Sequence, residues 1–343
     1  MAPAPGPVTR LRYRRTTRWR VARLLAAMGG ILILLAGVAL CIGPGTFAIG
    51  SVLGEESTTI IFSLRLPRIV LAVAVGGALS ATGVLFQAML RNPLAEPYML
   101  GVSNGCAVGA MLGYAIGSSM ITVPLLSFAG GALVVVAVLW ISKGGGYGDR
   151  SEGLLLGGVM VAAIGAALIF LLLGFLGDSM RTAIQWMMGN LASASAQIGY
   201  GSGLLWVLVL GASLVGGNIL NAISLGDDEA AALGVPVDRA RTVLYLLGSL
   251  TVGLTVSFCG AIGFVGLVAP HIMRRIVGPD HRMLLPASVV GGGIFLLLCD
   301  TAARSLMGFA GNVGSELPVG AVTALVGAPI FITMLRNAHR RLG

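Results

Sequence analysis

Apolar residues in this chain come in long runs, separated by short clusters of polar residues, arginine, glycine and proline. The runs lie at about 21–42, 66–90, 99–121, 125–141, 154–175, 204–223, 243–259, 261–277, 284–306 and 317–335. A helix needs ~20 mostly apolar residues to cross the hydrocarbon core of a bilayer. Runs of this order predict an all-α, polytopic membrane protein with about ten transmembrane helices. An even count returns both termini to one side. Two stretches resist assignment. Only Gly260 and Gly263 punctuate the long run 243–277, and QWMMGNLASASAQ within 176–203 is too polar to span. The latter predicts a short helix in the membrane interface.

The pattern is sharpest between Arg65 and Gly117. Here RLPR opens an apolar segment of membrane length, RNPLAEPYMLGVSNG closes it, and glycine then recurs at Gly101, Gly105, Gly109, Gly113 and Gly117. Arg91, Asn92 and Pro93 form a polar turn where the chain leaves the hydrocarbon. Glycine at every fourth residue puts all five on one helical face, and such a face lets a second backbone come close. The stretch therefore reads as a span, a tight turn, and a second span made to be buried among other helices.

Composition agrees. The chain is 56% hydrophobic and 10% charged, its mean hydropathy is +0.94, and a soluble domain carries roughly 25% charged residues. The net charge of +9 does not point to nucleic acid, because the basic residues sit at segment ends. The turns expected inside hold Arg91, Lys143, Arg150, Arg239, Arg241, Arg274, Arg275, Arg282, Arg336, Arg340 and Arg341. The outer ends hold Arg65, Arg68, Arg181 and Arg304 beside Glu55, Glu56, Asp178 and Glu316. That asymmetry follows the positive-inside rule and places both termini in the cytoplasm. Residues 1–20 form a basic tail, and 21–343 a single transmembrane domain. The first apolar run is too long for a signal peptide and lacks a small-residue cleavage pattern, so it is read as a retained helix. Cys41, Cys106, Cys259 and Cys299 stand singly in apolar segments and read as small buried hydrophobes.

One polar segment stands out, SLGDDEAAALGVPVDRAR at 224–241. Asp227 suits an N-cap, Asp228 and Glu229 suit a first turn, Gly234 suits the C′ position, and Pro236 blocks continuation. This predicts a two-turn helix in a cytoplasmic loop, either a capped connector or a knob offered to a soluble partner.

Other chemistry is sparse. Gly101-Val-Ser-Asn-Gly105 matches the serine-hydrolase elbow G-x-S-x-G around Ser103, yet the glycines continue in register and packing explains them. His271, His281 and His339 form no H-E-x-x-H, and no Gly-Lys-Ser/Thr follows a glycine-rich loop, so zinc-protease and nucleotide-binding motifs are absent. ATP, if it drives the protein, binds another subunit. Asp300 and Arg304 are four apart and can pair along one helix. They are open to three readings: a self-satisfied pair, cations facing an acidic partner together with Arg65 and Arg68, or, for Asp300, the proton site of a secondary transporter.

RLPR, GALSATGVLFQAMLRNPLAEPYMLGVSNG, GAIGFVGLVAPHIMRRIVGPDHRMLLP and DTAARSL…ELPVGAVTALVGAPIFITMLR resemble the permease subunits of bacterial ABC importers for iron-siderophores, haem and cobalamin. The resemblance implies an inner-membrane homodimer around a central path, with two ATPase subunits carrying ATP and Mg inside and a periplasmic solute-binding protein outside. No cofactor is implied on this chain. The outward arginines that accept carboxylates of the binding protein fall on Arg65, Arg68 and Arg304. The ATPase-contacting loop falls on 225–237, with Leu225, Gly226, Asp227, Asp228, Glu229, Leu233 and Gly234 as its coupling residues. The wider importer signature E-A-A-x-x-x-G is one residue short at Glu229–Gly234. In this family the two helix groups are inverted repeats, echoed faintly by Gly83…Arg91-Asn-Pro93 and Gly266…Val277-Gly-Pro279. The spans starting at Leu66, Leu154 and Leu284 are the expected pathway lining.

Overall fold

A computed structural model describes residues 18–43, 46–47, 60–117, 121–144, 150–192, 195–309 and 316–339. The basic tail up to residue 17, Glu55, Glu56, Arg340 and Arg341 lie outside the described residues. Helix α1 (Arg18–Cys41) begins at a cation–π contact of Arg23 over Trp19, 5.7 Å from the ring centroid. It runs into a minimal antiparallel pair, β1 (Ile42–Gly43) and β2 (Thr46–Phe47). A π-turn at Ile61–Arg65 leads into α2 (Leu66–Met89), where Pro67 occupies the first turn and its missing N–H costs nothing. Then follow α3 (Val102–Ala115), α4 (Thr122–Gly144), α5 (Arg150–Leu173) and the short α6 (Met180–Met187). After these come α7 (Ala196–Leu225), α8 (Asp227–Ala232), α9 (Val237–Cys259), α10 (Val265–Val277), α11 (His281–Phe309) and α12 (Val319–His339).

Among the described residues seven helices, α1, α2, α4, α5, α7, α9 and α11, are long and apolar enough to cross a bilayer. Large apolar side chains such as Ile33, Leu133, Trp140, Phe170 and Val215 point out of the bundle. In water that would be a liability, but it is what a lipid-facing surface requires. Helices α2 and α11 are buried on nearly every side and form the centre, and α1 and α7 flank them. Several serine and threonine hydroxyls inside the spans bond back to carbonyls three or four residues earlier, as Thr82 does to Ala78 and Thr301 to Leu297. That satisfies them without a partner helix.

Glycine sets the helix separations. A Cβ on Gly76 would meet the Gly292 carbonyl carbon at 2.8 Å, and one on Gly83 would meet the Gly266 carbonyl carbon at 2.6 Å. Gly83 and Gly266, the two glycines of the faint internal echo, thus face one another. Gly83→Val is expected to push α2 and α10 apart and to lower thermal stability in detergent. Overpacking of this kind costs roughly 1–3 kcal/mol or more; an unchanged melting temperature would show that the backbones are free to separate.

The glycine face of the third run is shorter than its spacing suggests. Gly105, Gly109 and Gly113 lie against Gly130, Leu126 and Val123 of α4. Gly101, at φ 78°, is the left-handed turn that starts α3, against Gly158 of α5. Gly117, at φ 114°, lies beyond the end of α3 with open space where a Cβ would stand. A spacing of four cannot report where a helix stops, and the outer two glycines serve turns.

The runs at 99–121 and 261–277 give helices of only 14 and 13 residues. Each is preceded by non-helical backbone. A 3₁₀ turn, Pro97–Leu100, leads into α3, and an extended stretch after Gly260 leads through Phe264, at φ 67°, into α10. The two lead-ins bond to one another. Phe264 N–H donates to Glu96 Oε1 at 2.5 Å, and Ile262 N–H donates to the Tyr98 hydroxyl oxygen at 2.6 Å. Irregular backbone survives within a membrane bundle only where protein groups satisfy it, and Glu96 and Tyr98 do so here. The ambiguous run 243–277 therefore breaks at 260–264. The polar stretch 176–203 holds the short α6, with Ala183 buried and Arg181 exposed, but only residues 185–187 of QWMMGNLASASAQ belong to it: 188–192 are non-helical, and 196–203 open the long helix α7.

Candidate functional site

Among the described residues, the ion-paired side chains form two clusters. They stand at opposite ends of α2, whose 24 residues separate them by about 36 Å at 1.5 Å per residue, slightly more than the hydrocarbon thickness.

The first cluster forms where α2 starts and α11 ends. Pro67 fixes the opening turn of α2, which holds Arg68 against α11. Arg68 Nε donates to Asp300 Oδ1 at 3.1 Å and its NH2 to the same oxygen at 2.9 Å, while NH1 donates to Glu316 Oε2 at 2.8 Å. Arg304, one turn beyond Asp300, lies 3.2 Å from Asp300 Oδ2 and donates to Thr301 Oγ1 at 3.4 Å. Asp300 is 0% exposed and Arg304 only 3%. Arg65, one turn before Arg68, donates through NH1 to the Leu40 carbonyl at 2.6 Å, which ties the end of α1 to this rim. The structure thus brings together the three arginines singled out in the sequence, and adds that Arg68 and Arg304 share Asp300. The i,i+4 pairing of Asp300 and Arg304 is present, but the second guanidinium arrives from 232 residues away. With both carboxylate oxygens engaged by arginines, Asp300 has the bonding of a structural counter-ion, not of a proton carrier facing a channel.

The second cluster forms at the other end. Gly226, at φ 145°, is the residue before α8, so Asp227 is its first helical residue and not the expected cap. Its carboxylate instead reaches α9: Arg241 NH1 donates to Oδ2 at 2.7 Å and NH2 to Oδ1 at 2.6 Å. This bidentate fork is the strong form of the pair. Arg91, in the turn after α2, lies 3.8 Å from the same oxygen. At the C-terminus of α8, Gly234 N–H donates to Ala231 and Val235 N–H to Ala230, a Schellman ending with Gly234 at φ 82°. Leu225 and Leu233, on either side of α8, are both about two-thirds exposed, at 66% and 65%. Asp228 and Glu229 occupy its first turn, where acids favour the helix dipole. In the turn at Arg91, Asn92 Oδ1 accepts from Leu94 N–H at 2.9 Å, with Pro93 between them.

Sequence reasoning missed several members of these sites. Arg241 is nearly fully buried, yet in the sequence it is one of two arginines in VDRAR, and nothing local separates it from Arg239. Asn221 was also silent: its Oδ1 accepts from His281 N–H at 2.9 Å and its Nδ2 donates to Asp280 at 2.8 Å, clamping α7 to α11. Gln87 accepts from Arg274 at 3.1 Å and donates to the Gly266 carbonyl at 3.3 Å, joining α2 to α10. Ser103 is buried in the first turn of α3, not on a strand-to-helix elbow, so the hydrolase motif has no structural counterpart. Of the three expected pathway spans, α2 and α11 are largely enclosed within the chain. Helix α5 keeps a broad open apolar face, through Met160, Ile164 and Leu171 among others.

Comparison with known proteins gives this architecture its relatives. The chain is 34% identical to the vitamin B12 import system permease of Salmonella typhi, over 96% of this chain and 98% of that one. It is 38% identical to the cobalamin import system permease of Halobacterium salinarum, covering 84% and 76% respectively. A solved structure described as an inward-facing, metal-chelate type ABC transporter superposes with a TM-score of 0.82 at 30% identity, over 92% of this chain and 99% of that one. The model of the FecCD transport family matches residues 31–337. Such agreement over nearly the whole length, on a bundle whose apolar helices face lipid, means that the chain belongs to the FecCD transport family and is a multi-pass permease of an ABC importer in the bacterial inner membrane.

Proposed function

We propose that this permease carries a cobalamin or an iron-siderophore, with haem a third candidate, by alternating access driven by two separate ATPase subunits. The observation that carries the coupling half of this reading is α8. It is a six-residue helix held to α9 and to the α2 turn through Asp227, and it presents Leu225 and Leu233 outward. A short, firmly anchored helix with apolar flanks is suited to dock in a groove of a soluble subunit and to pass a displacement inward. ATP binding would close the ATPase pair and move α8, α9 and the end of α2 together. ATP and Mg stay on those subunits, and this chain has a transport role without its own catalysis or cofactor.

At the opposite end, Arg65 and Arg68 form the cationic rim on which acidic residues of a periplasmic solute-binding protein would dock, with Arg304 buried behind them on Asp300. This reading places α8 and both termini in the cytoplasm, in keeping with the excess of arginine at that end. A second copy of the chain would pack so that the open faces of α5 enclose the path between them. Large chelates suit a wall of small and apolar residues, which lets them slide without being held. The cobalamin assignment draws on the vitamin B12 and cobalamin permeases among the relatives, and the iron-siderophore on the metal-chelate neighbour.

The test is reconstitution of the permease with its ATPase and binding protein in vesicles, scored by which chelate stimulates ATP hydrolysis and enters. Uphill uptake by the permease alone would overturn the reading. For the coupling helix, Leu233→Glu is expected to leave the permease folded and to abolish stable association with the ATPase, read by co-purification. Retention of the complex with full transport would remove α8 from that role.

A further inference from the structure

We propose that Glu316 is an internal placeholder on the cationic rim: it occupies the Arg68 guanidinium that a docking carboxylate takes, and it must be displaced when the partner arrives. The inference rests on the docking reading above and adds a residue that sets its affinity.

The two carboxylates of the cluster differ in kind. Asp300 is 0% exposed, is bonded to two faces of Arg68, and lies 3.2 Å from Arg304. It is enclosed by α2 and α11 and cannot leave without stranding two buried cations. Glu316 makes one ion pair among the described residues, to Arg68 NH1 at 2.8 Å, and its side chain is 27% exposed. It stands on non-helical backbone just before α12, a segment tied to α11 by Leu317 N–H donating to the Ala303 carbonyl at 3.2 Å. Glu316 is the more exposed partner of a single ion pair and stands on a non-helical stretch, so it is held far less firmly than Asp300 and an incoming carboxylate can exchange with it.

Charge count gives the exchange a direction. Among the described residues of the cluster, Arg65, Arg68 and Arg304 carry three positive charges, and Asp300 and Glu316 two negative ones, leaving one positive charge. Arg65, bonded to the Leu40 carbonyl, is that uncompensated cation among the described residues. It attracts the partner's first carboxylate. Displacing Glu316 then frees a second guanidinium edge only one helical turn away, where a pair of acidic residues can bind both arginines.

The experiment uses the full permease in nanodiscs with its ATPase, and the solute-binding protein of the same importer as the probe, at low ionic strength. Glu316→Gln is expected to tighten association about fivefold, or about 1 kcal/mol at 1.4 kcal/mol per tenfold. Labelling of Arg68 by phenylglyoxal, read by mass spectrometry, rises severalfold in the same variant. Glu316→Ala should behave alike, and because Glu316 lies at the rim one of the two variants will fold. Arg65→Glu should weaken association at least tenfold. If Arg65→Glu weakens binding while both Glu316 variants leave affinity and labelling unchanged or lower, the placeholder is wrong and the docking site stands. If neither position affects association, the docking reading fails and this inference fails with it.

Discussion

Asp300→Ala is expected to destabilise the permease by about 3–5 kcal/mol, the largest effect of any single polar substitution in the bundle, because removing one partner of a buried ion cluster leaves the others without compensation. Two guanidinium groups depend on this carboxylate, and Arg304 lies almost wholly inside the protein. Arg68 would keep Glu316, so the unpaired burden falls mainly on Arg304. Asp300→Asn should cost less, since the amide oxygen still accepts one hydrogen bond. The double variant Asp300→Leu/Arg304→Met should recover part of the loss, as an apolar replacement of a buried pair often does. Thermal unfolding in detergent, followed by near-UV circular dichroism, measures all three. A melting temperature for Asp300→Ala equal to that of the natural chain would mean that water reaches this cluster.

Asp227→Ala is expected to separate two things that the natural protein joins. Stability should fall by about 3 kcal/mol, the low end for breaking a buried pair, because Arg241 is enclosed but the Asp227 side chain is 38% exposed. Transport should fall further than stability explains, by roughly 3- to 30-fold, the range that residues along a coupling route command. ATP hydrolysis by the assembled complex should persist. The reason is geometric: Asp227 joins α8, the proposed ATPase contact, to α9 through Arg241 and approaches the end of α2 through Arg91. The charge-swapped pair Asp227→Arg/Arg241→Asp restores the bond in reverse and should regain part of the transport. If it does not exceed the single variants, or if Asp227→Ala transports normally, force enters the bundle by another route.

How legible these sites were depended on how local their signals are. Asp300 and Arg304 could be read as a pair because one helical turn joins them, and the RLPR opening marked Arg65 and Arg68 as ends of a span. Their convergence with Glu316 is invisible in one dimension, since it requires the first turn of α2 to lie beside the last turns of α11. The capped segment 224–241 was visible because helix caps are local chemistry, and Gly234 ends α8 as its position suggests. Asp227 went the other way. As a residue before a helix it reads as a cap, but a buried guanidinium from the next helix outbids the backbone for its carboxylate. Glu96 and Tyr98 are similar cases: in RNPLAEPYML they look like surface turn residues, and they prove to satisfy the broken backbone before α10.

The chain alone determined that this is a bundle of apolar helices, roughly where each begins, which end carries the excess of arginine, and which polar segment lies outside the bilayer. These follow from the free energy of placing each residue in hydrocarbon or in water, a property of short stretches taken one at a time. Tertiary structure decided which helices are central, that two runs are half-length helices with irregular lead-ins, and that Arg241, Asn221, Gln87 and Glu316 matter. Those outcomes turn on partners from 14 to 248 residues apart, for inside a membrane every buried polar group must find a mate, and only the packed bundle says which one is within reach.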